Sequence, residues 1–136
     1  MKKYTEENLQ HDCFVWFNNN HGLKTSNPRC KMFSVPNEIA MTIRGALMQT
    51  NLPKSKVDQI ISILTQKFKN TGLSPGVSDT ICVLPRKTLY IEFKTPEGVQ
   101  SDKQKEFEGV VKGLNQKYYI VRSLDQFKKI IESELC

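Results

Sequence analysis

The sequence predicts an α/β sandwich, in which helices cover a small mixed sheet. Five segments place apolar residues at helical spacing, and four short segments are rich in β-branched and aromatic residues. The length of 136 residues suits one domain, spanning residues 1–136 with a single core. Hydrophobic residues make up 38 % of the chain and charged residues 25 %, a balance that argues against disorder.

The first half of the chain predicts a helix, a strand and two further helices. Residues 5–20 have the pattern of the first helix, with Thr5 as its N-cap. Gly22 is suited to the left-handed conformation that often follows a helix end. A short strand and two more helices are expected over residues 30–35, 38–50 and 54–70.

The second half predicts a hairpin followed by a helix, a strand and a last helix. The hairpin strands, 79–84 and 88–95, are so close in sequence that they must pair antiparallel. Ser101 begins the next helix, a strand covers residues 117–122, and Ser123 caps the last helix. The residues expected to face inward from the helix that begins at Ser101 are Phe107, Val110, Val111 and Leu114.

Charge and cysteine usage limit the function classes. Lys and Arg total 20 against 14 Asp and Glu, and the net charge of +6 favours encounter with polyanions such as nucleic acid. The four cysteines are widely spaced with no Cys-x-x-Cys pair, which argues against a zinc or iron–sulfur site and favours reduced thiols in a reducing compartment. No segment has the length of a membrane span or the pattern of a signal peptide, so we expect an intracellular protein without membrane contact.

The second hairpin strand carries the chemically most informative residues. Alternation places Tyr90, Glu92 and Lys94 on one face of that strand. Asp79 joins this face if the hairpin loop has an even number of residues, which the sequence leaves open. Two carboxylates and a lysine would suit Mg²⁺ or Mn²⁺ and an activated water. On spacing alone, a solvated face is the simpler interpretation, because antiparallel sheets often expose one face.

The residues around this strand resemble a known family. Asp79, thirteen positions before Glu92, and the run Glu92-Phe93-Lys94 resemble the motif of the PD-(D/E)XK nuclease superfamily. The more specific segments resemble the VRR-NUC branch, in particular its stand-alone, virus-encoded members. These segments are Gly76-Val77-Ser78-Asp79, Ile91-Glu92-Phe93-Lys94, Gly98, Ser101, Gln104, Glu7-Asn8-Leu9-Gln10, Val35-Pro36-Asn37 and Tyr119-Ile120-Val121-Arg122-Ser123. The chain departs from the family at Ser78, where proline is usual, and in a longer helical insertion after Val35-Pro36-Asn37.

The resemblance implies a fold and a set of site residues. The fold would be the restriction-endonuclease-like αβββαβ core with a two-helix insertion after the first strand. Mg²⁺ or Mn²⁺ would be held by Asp79, Glu92, the Phe93 carbonyl and Glu7, although the adjacent Glu6 could fill the role of Glu7. Asp79, Glu92, Lys94 and Gln104 would be catalytic, and contacts with nucleic acid are expected from Lys94, Ser101, Lys103 and Tyr90.

The function that follows from this resemblance is metal-dependent hydrolysis of DNA. Stand-alone relatives are homodimers that act on branched DNA such as Holliday junctions, which implies a bacteriophage-encoded junction nuclease in the cytoplasm of a prokaryotic host. Two other functions stay open. One is a catalytically inactive nucleic-acid-binding module or adaptor with the same fold, and the other is an interaction protein without DNA binding.

Overall fold

The computed structural model describes residues 3–136, and its elements follow the order predicted from the sequence. The helices are α1 (Glu6–Phe17), α2 (Ile39–Met48), α3 (Lys54–Asn70), α4 (Asp102–Gly113) and α5 (Leu124–Leu135). The strands are β1 (Lys31–Ser34), β2 (Thr80–Leu84), β3 (Lys87–Phe93) and β4 (Lys117–Val121). The two-helix insertion after the first strand is therefore confirmed.

The four strands form one mixed sheet in the order β1-β2-β3-β4. The first two pairs are antiparallel, and β3 pairs parallel with β4. Between β2 and β3, a two-residue turn of Pro85 and Arg86 pairs Leu84 with Lys87. Proline suits the first position of this turn, and Arg86 takes a positive φ of 64° at the second. The parallel pair needs a longer crossover, which α4 supplies.

The helix starts were well predicted, but the end of α1 was not. Thr5 and Ser101 both form capping boxes, and the Ser123 side chain accepts the backbone N–H of Gln126. The expectation for Gly22 is wrong, because α1 continues into a π-helical turn, Asn18–Gly22, rather than ending at a left-handed residue. Within residues 3–136, the glycines with positive φ are Gly72 and Gly76.

The core lies between one face of the sheet and the helices α1 and α5. On this face Leu89, Ile91 and Phe93 of β3 are fully buried, as alternation predicts. The other members of the core cluster are Leu9, Cys13, Phe17, Cys30, Met32, Cys82, Leu84, Val121, Phe127 and Ile131. Burying these aliphatic and aromatic side chains is the main source of stability and fixes the orientation of β3.

Helix α4 covers part of the opposite face through aromatic contacts. The Phe107 ring packs edge-on against Tyr90 and Tyr118, with ring centroids 5.8 and 6.2 Å apart. Val111 is buried as predicted, but Val110 and Leu114 are 55 % and 67 % exposed. The inward stripe of α4 is therefore narrower than its apolar residues suggest.

The chain divides into two compact units, residues 3–35 with Gly76–Cys136, and Pro36–Pro75. The second unit consists of α2 and α3, which are tied by an ion pair between Arg44 and Asp58 at 2.6 Å. The expectation of one domain over residues 1–136 stays a prediction. In the described part of the chain, no helix combines the length and the apolar character that crossing a membrane requires.

Candidate active site

The hairpin register places Asp79 and Glu92 on the same face of the sheet. Thr80 pairs with Ile91, so the next pair outward sets Asp79 opposite Glu92. The hairpin loop therefore has an even number of residues, which is the condition under which the sequence predicts Asp79 on the face of Glu92 and Lys94. Lys94 follows on the same face, because it lies two residues beyond Glu92. The structure therefore brings the three predicted chain positions together at the end of β3.

The carboxylate of Glu92 is almost completely buried, with 1 % of the residue exposed. Its Oε1 accepts a hydrogen bond from Gln104 Nε2 at 2.5 Å and lies 3.2 Å from Lys94 Nζ. Its Oε2 is buried, and no donor from the described residues reaches it. A buried carboxylate oxygen without a donor is costly, so this atom marks a place where a cation or a proton is needed.

The Gln104 side chain caps the start of α4 and also donates a hydrogen bond to Glu92. Its Oε1 accepts the Ser101 backbone N–H at 2.8 Å, and the Ser101 Oγ accepts the Gln104 backbone N–H at 3.2 Å. This capping box uses the amide oxygen and leaves Nε2 to donate to Glu92. The cap therefore fixes the rotamer of Gln104, and through it the orientation of the Glu92 carboxylate.

Asp79 is held by two backbone contacts at the start of β2. Its Oδ2 accepts the Phe93 N–H at 2.8 Å, and its carbonyl oxygen accepts the Val35 N–H at 2.7 Å. The first bond ties the carboxylate to the backbone between Glu92 and Lys94. The second ties the main chain of Asp79 to the residue that follows β1.

The environment opposes ionisation of both carboxyl groups. Burial is the main cause that raises the pKa of Glu92 to about 7, and the charge of Asp79 adds to it, while Lys94 acts in the opposite direction. Burial also raises the pKa of Asp79 above its usual range, against the Phe93 N–H and Lys94, which lower it. The pKa values of both acids stay raised although the Lys94 ammonium group lies beside them. A further positive charge at this position would therefore stabilise their ionised forms.

The first turn of α1 contributes Glu6 to this region. Glu6 Oε1 accepts the Thr95 N–H at 3.4 Å, and the charge of Glu6 raises the pKa of both Asp79 and Glu92. Glu7 is exposed and lines a groove on the other side of the helix turn. The structure thus favours Glu6 as the helical acid of the site, and Glu7 as a metal ligand stays a prediction.

The residues expected to contact nucleic acid surround the same helix end. Ser101 and Lys103 are exposed in the first turn of α4, beside the bond between Gln104 and Glu92. Tyr90 is half-buried against Phe107 on the site face. Their roles as DNA contacts stay predictions.

Two further residues that sequence reasoning did not single out shape the site. A Cβ on Gly76 would lie 2.6 Å from the backbone of Lys103, so only glycine allows the preceding turn to approach α4 this closely. Arg122 donates through Nη1 to the carbonyls of Thr95, Pro96 and Gly98, at 2.7, 3.2 and 2.7 Å. Both residues lie in the segments that carry the family resemblance, and this resemblance was the sequence signal that could have identified them as residues that shape the site.

The donor set fits a hard divalent ion such as Mg²⁺ or Mn²⁺ better than zinc or an iron–sulfur cluster. The described residues hold no cluster of three or more His, Cys, Asp and Glu side chains placed for a metal. Mg²⁺ needs no such cluster, because it keeps several waters and binds through one or two carboxylates. The unpartnered Glu92 Oε2 and the neighbouring Asp79 carboxylate supply hard oxygen ligands of that kind.

Comparison with known proteins supports the fold. No protein-family profile matches the sequence, and no curated protein sequence matches it either. A solved structure described as a VRR_NUC domain protein matches with a TM-score of 0.66 and 17 % identity, over 98 % of this chain and 89 % of that one. This likeness shows the fold. The predicted α/β class, with a restriction-endonuclease-like core and a two-helix insertion, is confirmed.

Proposed function

We propose that this chain is a divalent-metal-dependent nuclease that hydrolyses phosphodiester bonds in DNA. The observation that carries the proposal is the Glu92 carboxylate, buried beside Asp79 with one oxygen held by Gln104 and Lys94 and the other without a donor. Burying such a group without a ligand costs folding free energy. Its arrangement at the end of β3, in a fold shared with a VRR_NUC domain protein, is best explained by a metal-binding role.

The roles of the residues follow from their contacts. Asp79, Glu92 and the Phe93 carbonyl would hold Mg²⁺ or Mn²⁺, and Glu6, whose charge acts on both carboxyl groups, would add negative charge beside the ion. When bound, the ion supplies Lewis-acid stabilisation of the phosphate and lowers the pKa of the attacking water. Lys94, almost buried beside Glu92, orients the water or stabilises charge on the phosphate, and Gln104 holds Glu92 in position.

DNA is the proposed substrate, and the more specific proposal is branched DNA such as a Holliday junction. The net charge of +6 favours a polyanionic partner, and Lys103 adds exposed positive charge beside the site. Symmetric cleavage of a two-fold junction needs two sites, which a homodimer would supply. An origin in a bacteriophage and action in the host cytoplasm belong to the same proposal.

The test is cleavage of end-labelled four-way junction, linear duplex and single-stranded DNA with Mg²⁺, Mn²⁺ or EDTA. The expected result is metal-dependent cleavage by the wild type and none by Asp79→Ala, which controls for contaminating nuclease. The ranking of the three substrates decides whether junctions are preferred. Binding that survives EDTA without cleavage in any metal would instead support the inactive module.

A further inference from the structure

The Arg122 side chain binds a backbone turn that follows β3. Its Nη1 donates to the carbonyl oxygens of Thr95, Pro96 and Gly98, at 2.7, 3.2 and 2.7 Å. The Gly98 N–H donates to the Thr95 carbonyl at 3.0 Å, so residues 95–98 form a turn, which we call the 95–98 turn. One guanidinium nitrogen therefore contacts three of the four carbonyl groups in this turn.

The guanidinium group is half-buried and is not paired with an acid. No carboxylate among residues 3–136 lies within ion-pair distance of Arg122. A guanidinium group that is partly removed from water needs acceptors for its donors, and the carbonyl groups of the 95–98 turn supply them for Nη1. These contacts indicate that Arg122 holds the main chain rather than neutralising an acid.

The same contacts extend the pairing of β3 with β4 beyond the end of the sheet. The Lys94 N–H donates to the Val121 carbonyl at 3.0 Å, which joins the two chains directly after β3. One residue further along both chains, the Arg122 side chain holds the Thr95 carbonyl. The main chain is therefore fixed on both sides of Lys94, by β3 before it and by Arg122 after it.

The 95–98 turn also contacts the first turn of α1. The Thr95 N–H donates to Glu6 Oε1 at 3.4 Å, and a Cβ on Gly98 would lie 3.2 Å from the same oxygen. Thr95 thus offers its N–H to Glu6 and its carbonyl to Arg122. A shift of this turn would change the contact with Glu6 and the backbone next to Lys94 together.

Lys94 is the site residue whose position depends most on this turn. Its side chain is almost buried, with Nζ 3.2 Å from Glu92 Oε1. Because the lysine stem is flexible, the position of the ammonium group depends on where the backbone anchors it. Within the described chain, Arg122 makes no hydrogen bond or ion pair with Glu92 or Asp79, so its effect on the site passes through the turn.

We propose that Arg122 is a positioning residue of the candidate active site, which holds the 95–98 turn and thereby keeps Lys94 beside Glu92. This inference rests on the proposed nuclease function, in which Lys94 acts on the water or the phosphate. Displacing the ammonium group would slow the chemical step without removing a contact with DNA. The cleavage rate should therefore depend on Arg122, and the affinity for DNA should not.

The test compares Arg122→Met, Arg122→Lys and Arg29→Met in the full chain. Methionine removes the donors and keeps an extended side chain, whereas lysine keeps the charge and three donors. Arg29 is the matched control, because it is an exposed arginine that also donates to a backbone carbonyl, that of Gly22, at 3.2 Å. The single-turnover cleavage rate of a four-way junction is measured in Mg²⁺, and junction affinity is measured in EDTA at several salt concentrations.

Arg122→Met is expected to lower the single-turnover rate at least about tenfold, since misplacing a catalytic group by about 1 Å can cost about 100-fold. It should leave the affinity and its salt dependence nearly unchanged. Arg122→Lys should recover most of the rate, and Arg29→Met should cleave as wild type does.

A second measurement follows Lys94 directly, without metal or DNA. A buried lysine ammonium group exchanges its protons slowly enough to give an NMR signal, which Lys94→Arg would assign by removing it. The signal should be present in wild type, Arg122→Lys and Arg29→Met, and lost in Arg122→Met. Gly98→Ala perturbs the same turn without touching Arg122, because its Cβ would lie 3.0 Å from Thr95 Oγ1. It should lower the rate and shift the Lys94 signal, which keeps the test decisive if Arg122→Met does not fold.

The inference is overturned if Arg122→Met cleaves at the wild-type rate. It is also overturned if this variant loses affinity with a smaller salt dependence at an unchanged rate, which would make Arg122 a phosphate contact. A Lys94 signal that is unchanged in both Arg122→Met and Gly98→Ala has the same consequence. Absence of cleavage by wild type in any metal would instead refute the proposed function, and the Lys94 signal would still decide whether Arg122 positions this lysine.

Discussion

Replacing Glu92 with glutamine should stabilise the metal-free protein at pH 8. The pKa of Glu92 rises from 4.5 to about 7 on folding, so the folded state favours the protonated acid. The acid therefore opposes folding increasingly as the pH rises from 4.5 to 7, by at most about 3 kcal/mol above pH 7. Relaxation around the charge reduces this value, and we expect Glu92→Gln to gain about 1–2 kcal/mol at pH 8.

The shape of the side chain makes glutamine the right replacement. Its amide oxygen can accept the bonds that Gln104 and Lys94 now make to Oε1, and its amide nitrogen can donate to Asp79. Lys94 keeps Asp79 as a neighbouring negative charge. The gain should appear as an increase in Tm of about 4–8 °C at pH 8, and it should nearly vanish at pH 4, where both proteins carry a neutral group.

The assay is thermal unfolding followed by circular dichroism, in EDTA, at pH 4, 5, 6, 7 and 8. Glu106→Gln changes an exposed acid on α4 and should shift Tm by little at any pH. Added Mg²⁺ should stabilise wild type at pH 8 and leave Glu92→Gln almost unchanged, because the ion binds the ionised acid. The reasoning is refuted if Glu92→Gln is less stable than wild type at pH 8, or if its gain is the same at pH 4 and pH 8.

Four other substitutions test the site. Lys94→Ala should lower the rate of DNA cleavage at least about 100-fold and keep most junction binding, measured by gel shift, since it removes the ammonium group beside Glu92 and leaves the outer surface intact. Gly76→Ala should force the start of α4 outward and disturb Gln104, so the cleavage rate should fall while far-ultraviolet circular dichroism stays native; equal rates would show that the close approach is not needed. Glu6→Gln should weaken Mn²⁺ binding more than Glu7→Gln, measured by electron paramagnetic resonance, and the opposite order would restore Glu7 as the site acid.

The sequence could predict that Glu92 and Lys94 share one face of β3, but not which residue lies opposite Asp79. Alternation in β3 was enough to place Glu92 and Lys94 together. The position of Asp79 depended on the hairpin turn, and a turn at Arg86-Lys87 would have set it opposite Lys94. The turn uses Pro85 and Arg86 instead, which sets Asp79 opposite Glu92. The side-by-side placement of the two acids follows from this one-residue difference, and with it the contribution that the charge of Asp79 adds to the effect of burial on the pKa of Glu92.

The apolar stripe of α1 is a sequence signal that distinguishes Glu6 from Glu7. The buried residues of α1 are Leu9, Cys13 and Phe17, and Glu6 precedes Leu9 by three positions, on the same stripe. Glu7 instead shares its face with the exposed Phe14. A carboxylate on the buried stripe of the first turn is carried towards the sheet, whereas its neighbour is turned away by about 100°. The burial pattern of a helix thus identifies which of two adjacent acids can reach a site.

One face of β3 packs into the core, and the other carries the candidate site residues. Leu89, Ile91 and Phe93 pack into the core and hold the strand rigid, so the residues between them cannot move to relieve their own unfavourable burial. Glu92 therefore stays desolvated beside Asp79 even though water would stabilise its charge better. On the proposed function, a cation bound here would take the place of the missing water and offset the cost of burying the Glu92 carboxylate. The rigid core on one face of β3 is therefore what keeps a carboxylate oxygen without a donor in place on the other face.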